Sequence, residues 1–215
     1  MEWSKPTDGI VSRYINRKIS GLITSFIIRK ELGITPTHIS LLSFLLGLSA
    51  SVLYVLGGIV LAGFILQLSS ILDGVDGELA RARGLTSKLG EFIDTMLDRG
   101  VNILAYISIT YYLYSVSPDI YIVLLGLLSL SGDMLVTYFH AVVKKDFNVH
   151  PASVGSFPPL ASRDVRIFIL FLASLGALLY IELLIYGLAL IFLISYLYLV
   201  IKGFEVVRSI KSGLI

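Results

Sequence analysis

Asp73–Asp98 reads DGVDGELARARGLTSKLGEFIDTMLD, and it sets four aspartates, Asp73, Asp76, Asp94 and Asp98, within two runs otherwise apolar enough for membrane helices. A carboxylate at the centre of such a helix costs about 2.5–3.5 kcal/mol on insertion scales, which makes each one a functional candidate by default. Asp73 and Asp76 are spaced i, i+3 and share a face of one helix. Asp94 and Asp98 are spaced i, i+4 and share a face of the next. The connection centres near Thr86, with Asp76 and Asp94 ten and eight residues away, and Asp73 and Asp98 thirteen and twelve. At a rise of ~1.5 Å per residue, an antiparallel hairpin brings the two pairs to matching heights across one gap. Four crowded like charges repel and take up protons unless a cation neutralises them. Magnesium or manganese, which favour carboxylate and water oxygens, meet that need. An ion pair or a helix-end charge explains any one aspartate, but not four at paired spacing and depth.

The small residues in the same stretch have their own reasons. Gly77 and Gly90 lack a Cβ, so a ligand or a neighbouring helix can approach the backbone there, and Ala80 leaves similar room. Arg81, one turn from Gly77, offers paired donors to a phosphate. Metal-binding carboxylates beside such an arginine describe a site for a phosphorylated substrate.

Outward from this stretch, the 215-residue chain is 56% hydrophobic and 15% charged, with a mean hydropathy of +0.87. A soluble domain of that size needs more polar surface, so the bilayer is the solvent and the fold class is an all-α integral membrane protein. Six segments approach the ~20 helical residues that a hydrocarbon core requires: Ile39–Gly57, Ile59–Ala80, Leu89–Leu113, Ile120–Val143, Val165–Tyr180 and Leu183–Ile201. The basic residues lie in the N-terminal segment, the second-to-third and fourth-to-fifth connections, and the tail, while the other three connections have no Lys or Arg. Six spans therefore put both termini and both basic loops in the cytoplasm. Asp8 to Glu31 reads as an amphipathic helix lying in the membrane interface. The expected organisation is a cytoplasmic N-terminal segment over 1–38, a six-helix transmembrane catalytic domain over 39–201 and a cytoplasmic tail over 202–215. The N-terminus lacks the charged stub and apolar run of a cleavable signal peptide, so the first span is expected to direct insertion itself. Without cysteine there is no disulfide or thiolate chemistry, and His38, His140 and His150 lack a metal-ligand spacing. A net charge of +2 gives no reason to expect a nucleic-acid partner.

The spacing D-x2-D-G-x2-A-R-x8-G-x3-D-x3-D, complete from Asp73 to Asp98, resembles the signature of the CDP-alcohol phosphotransferase family. Eight fixed positions over 26 residues make a chance match very improbable. The resemblance covers most of the chain, since family members also have six membrane helices after an interfacial helix. It implies that Asp73, Asp76, Asp94 and Asp98 bind two magnesium or manganese ions, with Asp98 also the general base. It implies that Gly77, Ala80, Arg81 and Gly90 take the CDP moiety, helped by Ser87. Ahead of the first span, ITPTHIS is similar to the family's T-P-N-x-x-T stretch and carries over Pro36, Thr37 and Ser40, with Thr37 standing where Asn or Asp is usual. The implied reaction is displacement at the phosphorus distal to cytidine, with release of CMP, by a membrane-bound homodimer whose site opens to the cytoplasm.

Arg163 and Arg166 share a face at the start of the fifth span, and Lys144 and Lys145 lie nearby, so a phosphorylated acceptor is favoured over a neutral one. The lysines are equally explained as contacts to lipid headgroups. The segment TDGIVSRYINRKIS resembles the family branch that makes di-myo-inositol phosphate phosphate from CDP-inositol and inositol phosphate, in which a cytidylyltransferase domain is often fused. The branches that make phosphatidylinositol phosphate or archaetidylinositol phosphate from a CDP-linked lipid share the basic acceptor site. Asp133, in mid-span, either binds substrate hydroxyls or bonds across helices. A small cation transporter would use the same four carboxylates, but it leaves the Gly77, Ala80, Arg81 and Gly90 pattern without a purpose.

Overall fold

Residues 8–213 of the computed structural model are described here; the ends of the N-terminal segment and of the tail, Lys5 among them, lie outside the described residues. Every regular element among the described residues is helical. A π-helical turn at Ser12–Asn16 runs into α1 (Arg17–Arg29), followed by α2 (Pro36–Val55), α3 (Ile59–Ala82), α4 (Lys88–Val116), α5 (Ile120–Phe147), α6 (Arg163–Gly176) and α7 (Glu182–Lys211).

Local chemistry sets the helix ends. Thr35 caps α2, accepting from the His38 amide at 3.3 Å while His38 Nδ1 accepts from the Thr35 amide, and Pro36 occupies the first turn, where its missing N–H costs nothing. Gly57 and Gly84, both at positive φ, turn the chain after α2 and α3. Ser87 caps α4 by accepting from the Gly90 amide at 3.0 Å, and Asp119 caps α5 by accepting from Tyr121.

Helices α2–α7 fall on the six expected segments. Four of them, α2, α3, α5 and α7, are long and apolar enough to cross a membrane. α4 is long but carries Glu91, Asp94, Asp98 and Arg99, and α6 has 14 residues. α2 packs on α3 and α4, α5 on α7, and α6 between α3 and α7. The α6 contacts are close. A Cβ on Gly63 would sit 2.5 Å from Ser174 Cβ, and one on Gly187 2.7 Å from Ala173 Cβ. Small residues that let backbones approach supply the packing that hydrophobicity cannot supply in lipid. The core runs through Tyr54, Leu66, Ile109, Leu170, Leu188 and Ile191, while Leu45, Phe64, Leu127 and Leu193 point outward.

α1 differs from a soluble surface helix. Ser20, Thr24 and Ile27 are buried against α3, and Ile19, Leu22 and Phe26 are exposed. Its docked side thus mixes the Ser20 and Thr24 hydroxyls with Ile27, while large apolar side chains also face outward.

Candidate active site

The α3–α4 hairpin brings carboxylate oxygens of Asp73, Asp76 and Asp94 within 4.8 Å of one another. Asp76 is buried and accepts a 2.6 Å hydrogen bond from Ser40 on α2. Crowded, partly desolvated carboxylates of one sign fit a divalent cation with oxygen preference. Asp98 lies one turn further along and takes a different partner. The Arg163 guanidinium reaches from α6 to Asp73 Oδ2 and Asp98 Oδ1, both at 2.8 Å, so it links the cluster to the fourth aspartate.

Two cavities flank the cluster. One, of about 240 Å³, has Asp76 and Asp94 on its wall together with Ser40, Gly77, Ala80, Arg81, Ser87 and Gly90. The other, of about 280 Å³, has Asp73 on its wall together with Arg17, Arg99, Arg163, Arg166, His140 and His150. The carboxylates thus form the partition between a chamber of small residues with one arginine and a chamber rich in guanidinium. Pro36 and Thr37 do not line the first chamber, Pro36 serving the start of α2 and Thr37 lying exposed. Lys144 is exposed on the last turn of α5, off the second chamber. Arg166 is 2% exposed, with Nε 2.8 Å from Asp133 Oδ2 and Nη1 bonded to the Ala161 carbonyl.

Several polar residues around the site were not singled out in the sequence. Glu78, in a variable position of the aspartate motif, is fully buried and accepts from Arg17 Nη1 at 2.9 Å, Ser20 Oγ at 2.6 Å and Thr24 Oγ1 at 2.7 Å. Its intramembrane carboxylate was the available signal; the partners at 17, 20 and 24 follow one helical face. Burial opposes the Arg17 charge, but Asp8 and then Glu78 more than offset it and hold its pKa above the usual value. Asp164 accepts from the Ser12 amide at 2.5 Å and ties the start of the chain to α6. In the α5–α6 loop, burial first and the Lys144 charge second lower the pKa of His150, which keeps the imidazole neutral. That loop is held to α7 by Lys202 Nζ on the Val154 carbonyl and by Glu205 accepting from the Ser156 and Phe157 amides.

Known proteins match both the sequence and the shape. The bifunctional IPC transferase and DIPP synthase of Thermococcus kodakarensis is 39% identical over 171 residues, covering 75% of this chain and 36% of that protein. The protein of the same description from Archaeoglobus fulgidus is 37% identical, with 33% of its length covered, so the chain spans about a third of these relatives. The archaetidylinositol phosphate synthase of Pyrococcus horikoshii is 32% identical over 191 residues, covering 85% of this chain and 89% of that one. A crystal structure of Mycobacterium tuberculosis phosphatidylinositol phosphate synthase with CDP-DAG bound superimposes with a TM-score of 0.72 over 88% of this chain and 94% of its own; at 18% identity it shares the fold. Residues 33–201, which include the whole α3–α4 hairpin and its four aspartates, match the CDP-alcohol phosphatidyltransferase description. The transporter reading therefore falls away, and the chain belongs to the CDP-alcohol phosphatidyltransferase family as an enzyme of that type.

Proposed function

We propose that this chain transfers the phosphoryl-alcohol group of CDP-inositol to a hydroxyl of inositol phosphate, releasing CMP and forming di-myo-inositol phosphate phosphate. The observation that carries this reading is the carboxylate partition, with small residues and Arg81 on one side and four arginines on the other. Two phosphate-bearing reactants held on opposite sides of one acidic centre meet there.

Asp73, Asp76, Asp94 and Asp98 would hold two magnesium or manganese ions. Bound there, the metal supplies positive charge for the pyrophosphate and for the leaving CMP. Gly77, Ala80, Gly90 and Ser40 leave room for the cytidine and pyrophosphate, Arg81 and Ser87 donate to it, and Pro36 and Thr37 shape the approach from α2. Arg163 and Arg166 take the acceptor phosphate, with Lys144 drawing it from solution. The Arg163 guanidinium is ion-paired with Asp98 at 2.8 Å, so a phosphate at Arg163 sets the acceptor's hydroxyls beside Asp98. Asp98 accepts the proton as the hydroxyl oxygen forms its bond to the distal phosphorus and the bond from that phosphorus to the CMP oxygen breaks.

The membrane setting belongs to the same proposal. Six spans over 39–201, an interfacial helix within 1–38 and a cytoplasmic tail over 202–215 put both termini and the chambers on the cytoplasmic side, in a homodimer. The exposed Ile19, Leu22 and Phe26 of α1 support its lying on lipid.

A second reading is favoured by the extent of the Pyrococcus match, which covers 89% of an archaetidylinositol phosphate synthase. It keeps the acceptor and replaces CDP-inositol with a CDP-linked lipid. Turnover of inositol phosphate with CDP-inositol, CDP-diacylglycerol and CDP-archaeol distinguishes the two. The first reading expects CDP-inositol to be the preferred donor. Turnover with CDP-archaeol alone establishes the second, and no CMP from any donor overturns both.

A further inference from the structure

Asp133 lines neither chamber, yet it gathers the side chains that build one of them. It is fully buried in the middle of α5. Arg166 Nε lies 2.8 Å from its Oδ2, and Arg99 Nη1 3.5 Å from its Oδ1. Asn102 Nδ2 donates to both oxygens, at 3.2 and 3.1 Å, and the Tyr106 hydroxyl donates at 3.3 Å. Asn102 then passes the connection on, since its Oδ1 accepts from Arg163 Nε at 3.3 Å. One turn along α5, Thr137 accepts from Arg99 Nη1 at 2.6 Å and is itself bonded to the Asp133 carbonyl.

Three guanidinium groups from α4 and α6 therefore meet one carboxylate, directly or through one amide. Asp133 is the carboxylate that Arg99 and Arg166 share, so without it their guanidinium groups lose the common acceptor that sets their direction along the chamber. An arginine grips a phosphate well only when its planar fork is held at the right angle, and the side chain is otherwise long and rotamer-rich. We propose that Asp133 is a positioning residue for the acceptor: it fixes Arg99 and Arg166, and through Asn102 also Arg163, as one array along the guanidinium-rich chamber. The proposal depends on reading that chamber as the acceptor's.

The test is steady-state kinetics of the full chain in detergent, with inositol phosphate varied against CDP-inositol for Asp133→Asn, Asn102→Leu and Arg166→Gln. Misplacing a bound reactant costs tenfold to a hundredfold, so Asp133→Asn is expected to raise the acceptor KM about tenfold or more. The donor KM and the magnesium requirement are expected to change by less than about twofold, because neither chamber wall on the donor side touches Asp133. Should Asp133→Asn not fold, Asn102→Leu cuts the link to Arg163 without orphaning a charge and answers to the same criterion. A loss that raises donor and acceptor KM alike marks Asp133 as merely structural and overturns the proposal. An unchanged acceptor KM in Asp133→Asn overturns it too, while a raised one in Arg166→Gln keeps the acceptor reading intact. If Arg166→Gln itself leaves the acceptor KM unchanged, the chamber is not the acceptor's and both readings fall.

Discussion

Glu78→Leu removes the anchor between α1 and α3 while conserving side-chain volume. The wild-type carboxylate satisfies three donors inside a fully buried position: Arg17, Ser20 and Thr24. Arg17 does not lose everything, since Asp8 at 2.9 Å and the Gly74 carbonyl at 3.1 Å remain. Its lost bond is therefore worth about 1–2 kcal/mol, below the cost of orphaning a buried charge. The Ser20 and Thr24 hydroxyls turn back to carbonyls of their own helix, which limits their cost to about 1 kcal/mol each. The sum is about 3–4 kcal/mol. For a chain of this size about 2–4 °C accompany each kcal/mol, so the melting temperature should fall by about 10 °C. Scanning fluorimetry in detergent reads that shift, and limited trypsinolysis reads the release of α1 as faster cleavage at the exposed Arg13 and Lys18. A melting temperature within about 2 °C of wild type, with unchanged cleavage, would refute the reasoning, because shifts that small correspond to about 1 kcal/mol or less.

Asp98→Asn should retain CDP-alcohol binding by calorimetry while single-turnover rates fall ~10²–10⁴-fold, the usual worth of a general base; a near-normal rate assigns the proton to another group. Asp73→Asn or Asp76→Asn should weaken metal and donor binding instead, in part recoverable by raising the metal concentration. Arg81→Ala should raise the donor KM about tenfold and leave the acceptor KM alone, as expected for a charge-assisted bond worth about 1.5–3 kcal/mol. Gly155 sits at φ +68° with its missing Cβ facing the Glu205 carboxylate. Gly155→Ala should therefore cost about 1–2 kcal/mol from the left-handed backbone alone and expose the α5–α6 loop to protease.

The hairpin was legible because its evidence is periodic and costly. Four carboxylates in apolar helices, paired at i, i+3 and i, i+4, specify two facing walls, and three of them meet within 4.8 Å. The small residues in the same stretch, Gly77, Ala80 and Gly90, line one chamber with Arg81. Helix positions were legible from hydropathy, but not their ends. α7 continues through Lys202 and Glu205 to Lys211 because those charges find partners in the α5–α6 loop, a tertiary fact that no window average contains. α6 stops at Gly176, where a string of turns replaces the rest of the expected span. The partners of Asp98, Glu78 and Asp133 were illegible for one reason. Each pairs with a residue at least 31 positions away in sequence or on another helix, and charge spacing along one helix does not tell which neighbour packs against it. Thr35 and Pro36 show the converse, a stretch whose local capping role accounts for its sequence as fully as a ligand would.

The most direct test of the central claim, that the carboxylate partition performs metal-dependent transfer from a CDP-alcohol, is CMP release by the purified chain. CDP-inositol and inositol phosphate are supplied in excess chelator, and then with magnesium or manganese restored. The account predicts no CMP in chelator and recovery of turnover with either ion. Full turnover in chelator would contradict it.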